Sequence, residues 1–279
     1  MPTINARSWE SFDKKLKETR EAAEISAGRN VDFLFRGMSD STLKLETTLE
    51  RAGYAGGSVS DYCELILRAK PQIETFTGKT WAIADFPKVQ ESLRNYENWT
   101  LHRFPEAALY SCLVHLRHHG FPSPLLDWTR SPYVACYFAF RSGVKPKEGE
   151  VSIHAFWEQS PRLRAVNKGE PEIRSIGPYV TTHRRHYLQQ SDYTMCVAFA
   201  DELCFAQHED AFARADPNQE VRWKFNIPWT ERLKVLKLLD SYNLNAFSLF
   251  ASEESLMETM ALRELKFRDT DFGHVNREG

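Results

Sequence analysis

Hydrophobic and polar positions change period along the chain, and the changes mark out its elements. From residue 8 to 26, Trp9, Phe12, Leu16 and Ala23 recur on one side of a run otherwise rich in charge, the pattern of an amphipathic helix. Val31 to Phe35 is a short β-prone run closed by Arg36-Gly37, which puts Arg36 at a strand end. Residues 60–76 and 106–119 return to helical spacing; in the second, Ala107, Tyr110, Leu113, Val114 and Leu116 form the apolar side. Between them, residues 77–105 are irregular and aromatic-rich, with Trp81, Phe86, Tyr96, Trp99 and Phe104. That stretch reads as a lid over a site or as a cap on the core.

Gly120, Pro122 and Pro124 then break the helical pattern sharply. Leu125 and Leu126 start a short buried strand that ends in Asp127, Trp128 and Thr129, and the apolar run through Phe140 is long enough for a helix packed on that strand. Beyond residue 140 the alternation at Val151–Trp157, Tyr193–Phe199 and Leu203–Phe205 predicts strands, separated by polar connections at 143–149 and 211–220. Pro228 to Leu239 is helical in spacing, Phe247–Phe250 reads as a short strand, and Ser252 is placed to cap a final helix. Helices dominate the first half and strands the second, which suits an α+β domain.

Composition narrows the class. The chain has 279 residues, 42% hydrophobic and 27% charged, enough for one large core or two modest domains. A formal net charge of -2 gives no global attraction to nucleic acid or anionic membrane, so any such binding rests on a local patch. The five cysteines (Cys63, Cys112, Cys136, Cys196 and Cys204) lack C-x-x-C spacing and read as reduced core residues. The first residues do not resemble a signal peptide, and no run of about eighteen apolar residues is present; a cytoplasmic location is expected.

The stretch His118-His119-Gly120-Phe121-Pro122-Ser123-Pro124-Leu125-Leu126-Asp127-Trp128-Thr129 resembles the second signature of the FRG domain family, and Phe35-Arg36-Gly37, running on to Arg51, resembles its first. Weaker matches are Leu188 to Thr194 and Ser248 to Leu256, so the resemblance spans about residues 30 to 262. Arg117 stands where the family usually has Gln, Ser123 where it has Thr and Ser191 where it has Gly. More distantly, an aromatic-Arg-Gly strand beside a second strand with a hydroxyl residue before a helix is similar to the ADP-ribosyltransferase fold. The resemblance implies an α+β fold in one domain, with a split or curved sheet flanked by helices. Its expected boundaries are a helix at 1–28, the FRG domain at 29–267 and a loose tail at 268–279.

That resemblance implies NAD as substrate, with no metal. Arg36 would grip phosphate or ribose, since its planar fork binds phosphate oxygens bidentately, and Gly37 would let the ligand approach the backbone. Cleavage of the glycosidic bond builds positive charge on the ribose, which Asp127 would stabilise, while Trp128 stacks on the nicotinamide. Thr129, His118 and Gln190 complete the expected cofactor site, and Asp192 is the expected second catalytic carboxylate, with Glu253 and Glu254 in reserve. The structural alternatives are plain: Arg36 tying loops together through backbone carbonyls, Asp127 capping the helix that starts near Arg130, and Trp128 in the core.

Three further patterns carry chemistry. His115, His118 and His119 have helical metal-ligand spacing but no H-E-x-x-H. Gly78-Lys79-Thr80 resembles the end of a phosphate-binding loop, but Ile73 occupies the position of its first glycine. His183-Arg184-Arg185-His186, with Tyr187, is the best basic patch and would meet RNA by phosphate contact and stacking. The resulting expectation is a toxin-like ADP-ribosyltransferase modifying a macromolecule, RNA ahead of protein, with an antitoxin protein as a partner. The alternatives are a non-catalytic nucleotide- or nucleic-acid-binding module and a metal-dependent hydrolase.

Overall fold

The computed structural model describes residues 2–94, 106–157, 168–214 and 221–268. Its frame is one open, mixed α+β sheet of eight strands: β1 (Thr3–Asn5), β2 (Phe33–Met38), β3 (Leu126–Thr129), β4 (Glu150–Trp157), β5 (Glu172–Ser175), β6 (Ser191–Phe199), β7 (Leu203–Phe205) and β8 (Arg222–Pro228). The order is β1-β8-β4-β2-β3-β6-β5, and β7 adds to β6. Only β1 and β8 are parallel.

Pairing is uneven along this order. β2 follows β4 along its whole length, from Phe33 opposite Trp157 to Met38 opposite Ser152. β2 meets β3 at Phe35 opposite Thr129 alone. Continued in register, that ladder would set Gly37 opposite Asp127; instead the strands part there. The sheet narrows to a single residue pair at the β2–β3 seam.

Side chains alternate across strands, so the register assigns each residue to a face. One face is covered by two separate helical groups. Over β2, β4 and β8, the helices Trp9–Ala27, Pro132–Arg141, Arg232–Ser241 and Ala246–Phe250 pack Phe12, Val134, Phe140, Val235 and Leu249 against Phe35, Ile153 and Phe225. Over β6, the helices Val59–Thr77, Phe86–Arg94 and Ala107–His118 pack Tyr62, Ile66, Leu109 and Leu113 against Tyr193, Met195 and Val197. The opposite face buries Leu34, Leu126, Trp128 and Phe156 beneath the short helix His208–Ala213 and its Phe212. The two helical groups flank the seam where the sheet opens.

Most sequence expectations of element type hold, but the stretch 77–105, read as irregular, contains the helix Phe86–Arg94, and others change too. Arg36 and Gly37 do not end β2, which runs on to Met38 because β4 offers partners as far as Ser152. Phe247–Phe250 is not a strand: Ala246–Phe250 is a helix opened by a capping box between Asn245 and Ser248 and closed by Ala251 in the left-handed region, φ 50°. Ser252 caps the helix Glu253–Leu262 as expected, again through a capping box, with Ser255. β8 was not foreseen, although Trp223, Phe225 and Ile227 alternate cleanly with polar residues. It became the centre of one half of the sheet. The expected loose tail beyond Arg268 lies outside the described residues. Among the described residues, no helix is long and apolar enough to cross a membrane.

Candidate functional site

The seam holds a cleft of about 470 Å³, within the usual size of small-molecule sites. Five pieces of chain build it. β2 supplies Arg36 and Gly37, the last turn of the helix Ala107–His118 supplies Arg117 and His118, β3 supplies Asp127 and Thr129, and Gln189, Ser191 and Tyr193 come from the entry to β6. Ala135 and Phe138 of the helix Pro132–Arg141 form an apolar wall. Sequence-distant stretches with polar residues at strand and helix ends thus meet at one opening.

Asp127 organises the charge. Its carboxylate accepts a hydrogen bond from Arg117 Nη2, and Arg36 Nη1 lies 3.9 Å from the same oxygen. Arg36 Nη1 also donates to the Asp127 backbone carbonyl at 2.6 Å. A side chain therefore bonds the carbonyl that the parted β2–β3 ladder leaves over. The Nε atoms of both arginines are buried and make no hydrogen bond. Burial pulls the Arg36 pKa down, Asp127 pushes it back up, and Arg117 and Arg51 add repulsion. Arginine remains charged regardless. Two guanidinium groups face one carboxylate, leaving a cleft with positive charge to spare.

His118 stands beside this group with its Nε2 3.1 Å from the Tyr193 hydroxyl. Burial lowers its pKa to about 4 against the opposing pull of Asp127, so it is neutral at pH 7.

The structure revises several expected roles. Gly37 is required by the protein rather than by a ligand: a Cβ there would lie 1.9 Å from the Ala135 carbonyl oxygen, where the helix Pro132–Arg141 rests on β2. Trp128 is a core residue, 3% exposed, with its ring against Phe156 and its Nε1 donating to Thr194 Oγ1 at 2.8 Å. It offers no free face for stacking. Asp127 is not a helix cap; Ser131 caps the helix Pro132–Arg141 through a bond from Val134 N. Thr129 Oγ1 is spent on the Gln189 carbonyl at 2.7 Å, holding β3 to the entry of β6.

Asp192 is fully buried and does not line the cleft. It sits opposite Trp128 in the ladder, on the face turned away, with Arg130 Nη2 at 2.5 Å and Tyr193 N at 2.8 Å on its oxygens. Gln190 is exposed, with φ 47°, and its neighbour Gln189 lines the cleft in its place. Glu253 and Glu254 are exposed residues in the first turn of their helix and do not line the cleft. The period of 2 explains the loss of Asp192: along one strand a single position decides which face a side chain takes.

The basic patch is largely committed to the protein. Arg184, though exposed, donates from Nη2 to the Ala251 carbonyl, Arg185 lies over the Phe250 ring at 5.4 Å, and His186 is buried; Tyr187 is exposed. Among the described residues, no group of three or more His, Cys, Asp or Glu is placed to hold a metal ion. His115 instead packs, tilted, between the rings of Trp81 and His119. Of the aromatic-rich segment, Trp81 packs into the core beside Val89 and Leu93, as a cap would; Tyr96, Trp99 and Phe104 lie outside the described residues.

The family model of the FRG domain matches residues 31–148. The chain carries an FRG domain. The match takes in Arg36, Gly37, Arg117, His118, Asp127, Trp128 and Thr129, so it holds both arginines and the carboxylate of the cleft. Gln189, Ser191 and Tyr193 lie beyond it. The cleft of this FRG domain is therefore completed by later chain. No curated protein and no solved structure matches the chain.

Arg117 and Tyr193 were not singled out by sequence reasoning. Arg117 showed only as a residue in place of the family's usual Gln, and Tyr193 only as the start of an expected strand and part of a weak third match. The signal that would have found Arg117 is its position beside His118 at a helix C-terminus, just before a sharp turn.

Proposed function

We propose that the cleft binds NAD and that the protein is an NAD-dependent ADP-ribosyltransferase, a toxin-like effector acting on a macromolecule. The observation that carries this reading is the convergence of Arg36 and Arg117, from separate elements, on one carboxylate in a cleft of small-molecule size. Two guanidinium forks suit a diphosphate, because each grips two oxygens and neither loses its charge. Asp127 is the acidic residue that lines the cleft, and a carboxylate beside a sugar carbon stabilises positive charge developing there as the nicotinamide leaves. Binding of a diphosphate draws the arginines from Asp127 and frees it for that role.

An ADP-ribosyltransferase-like architecture is part of the same proposal, supported by a sheet that opens beside an aromatic-Arg-Gly strand. With Arg184 and Arg185 engaged by protein atoms, only Tyr187 still favours RNA, so RNA and protein acceptors enter the test on equal terms. A toxin-like role further implies an antitoxin protein as partner and a cytoplasmic setting.

The experiment is incubation of the protein with labelled NAD and a cell lysate, followed by separate digestion with protease and RNase. Label that becomes macromolecular and is lost to one nuclease or protease names the acceptor; Arg36→Ala and Asp127→Asn leave NAD intact. Calorimetric NAD binding without turnover assigns a nucleotide-binding module instead, and no binding removes NAD from the cleft.

A further inference from the structure

A chain of four polar groups runs from the protein interior to the cleft. His186 Nε2 lies 3.0 Å from the Pro178 carbonyl oxygen, His186 Nδ1 lies 3.3 Å from the Tyr193 hydroxyl, and that hydroxyl lies 3.1 Å from His118 Nε2. The proton positions follow from one fixed end. A carbonyl oxygen only accepts, so His186 Nε2 carries the proton and donates. Burial lowers the His186 pKa and leaves the ring neutral, so its Nδ1 is bare and accepts.

Tyr193 has one proton, and among the described residues that hydroxyl is the partner of His186 Nδ1 that can supply one. Its oxygen is then left to accept from His118 Nε2–H. His118 is neutral, so with its proton on Nε2 its Nδ1 is bare. Among the described residues no hydrogen bond falls on that atom, and His118 lines the cleft.

We propose that His118 reads a hydrogen-bond donor of the bound molecule, a sugar hydroxyl or an amide N–H, through this bare Nδ1, and that Tyr193 and His186 are positioning residues that fix its tautomer. The ligand-reading part rests on the cleft binding NAD; the tautomer does not. The cleft then carries two recognitions of opposite kind. Its arginines take an anion, and His118 takes a donor, refusing a second anion because a bare nitrogen lone pair repels one.

The test is long-range proton–nitrogen correlation NMR on the full chain with labelled histidine, at pH 7. The expected result for the free protein is a neutral His118 ring with a protonated Nε2 and an unprotonated Nδ1. Tyr193→Phe removes the acceptor and shifts His118 toward the other tautomer, while the other ring signals report that the fold is kept. Saturation with NAD moves the His118 Nδ1 signal in the direction of an accepted hydrogen bond, and His118→Phe weakens NAD binding up to about tenfold, the scale of one such bond.

A protonated Nδ1 or a charged ring in the free wild-type protein overturns the proposal. NAD binding that leaves the Nδ1 signal unmoved overturns the donor-reading role. If NAD does not bind at all, the function proposed above fails, and the free-protein spectrum alone decides the tautomer.

Discussion

The two edges of β2 are built by opposite rules. On one side of β2, the ladder to β4 and on to β8 is continuous, and its covered face is apolar, with Phe35, Ile153 and Phe225 fully buried. On the other side, β2 touches β3 at one position and then parts from it. Where the backbone pairing stops, the Asp127 carbonyl is satisfied by Arg36, and the gap between the helical groups becomes a cleft with charged walls. A buried backbone acceptor needs a partner, and supplying it from a side chain rather than from a ladder is what lets the sheet open without an orphaned group. Apolar cores flank the seam on both sides, and the cleft lies at the seam itself.

Four changes test that division, from the largest effect to the smallest. Phe225→Ala, on the ladder side of β2, removes a fully buried ring and lowers unfolding free energy by about 3–5 kcal/mol in denaturant titrations. The molecules that remain folded keep their NAD affinity. A fall in affinity as large as the fall in stability erases the distinction between ladder and seam.

Arg36→Ala comes next. Reading the sequence alone, one expects it to abolish activity with the melting temperature nearly unchanged; the bond to the Asp127 carbonyl changes the second half of that expectation. Loss of a charged donor to a part-buried acceptor costs about 1.5–3 kcal/mol, measurable by denaturant midpoint, together with loss of NAD binding by calorimetry. Unaltered stability would mean that the seam is held by something other than Arg36.

Acid is the third probe. His208 is fully buried, and burial with repulsion from Arg36 brings its pKa to about 3, below the 6.5 of a free histidine. The unfolded chain takes up a proton that the folded protein refuses. This group's contribution is therefore constant above pH 6.5 and is lost as pH falls from 6.5 toward 3. The loss runs at about 1.4 kcal/mol per pH unit for one proton. His208→Gln, which keeps a partner for Thr194, lowers the pH slope of the denaturant midpoint by one proton. An unchanged slope shows that His208 is protonated in the fold.

The smallest effect belongs to Arg184→Gln with Arg185→Gln. Each arginine contacts one group of the helix Ala246–Phe250 and its C-terminal turn, an exposed setting in which losses are about 1 kcal/mol or less. If the patch also captures an acceptor, labelling of the target falls more than NAD turnover does, and raising the salt reproduces the difference. Equal loss of both assigns the pair to the fold.

How much was legible beforehand depends on the range of the forces involved. The helix Trp9–Ala27, the strands β4 and β6 and the cap at Ser252 follow from periods and caps that act within a few residues. The motif residues Arg36, His118, Asp127 and Thr129 were legible too, and all of them line the cleft. What each does was not. Gly37 answers to a helix about one hundred residues later, Trp128 to a core formed with Phe156 and Thr194, and Asp192 to a ladder register that turns it away from its neighbour Tyr193.

The sequence by itself determined the α+β class, the order of most elements and the residues at which chemistry concentrates, because local patterning and strand- or helix-end positions are properties of short stretches. Only the tertiary structure decided that β2 and β3 part after one pair, that Arg117 joins Arg36 on Asp127, and that Tyr193 links His186 to His118. Each of these depends on which distant segments meet and on which face. Register and packing set those choices, and no stretch of the chain contains them alone.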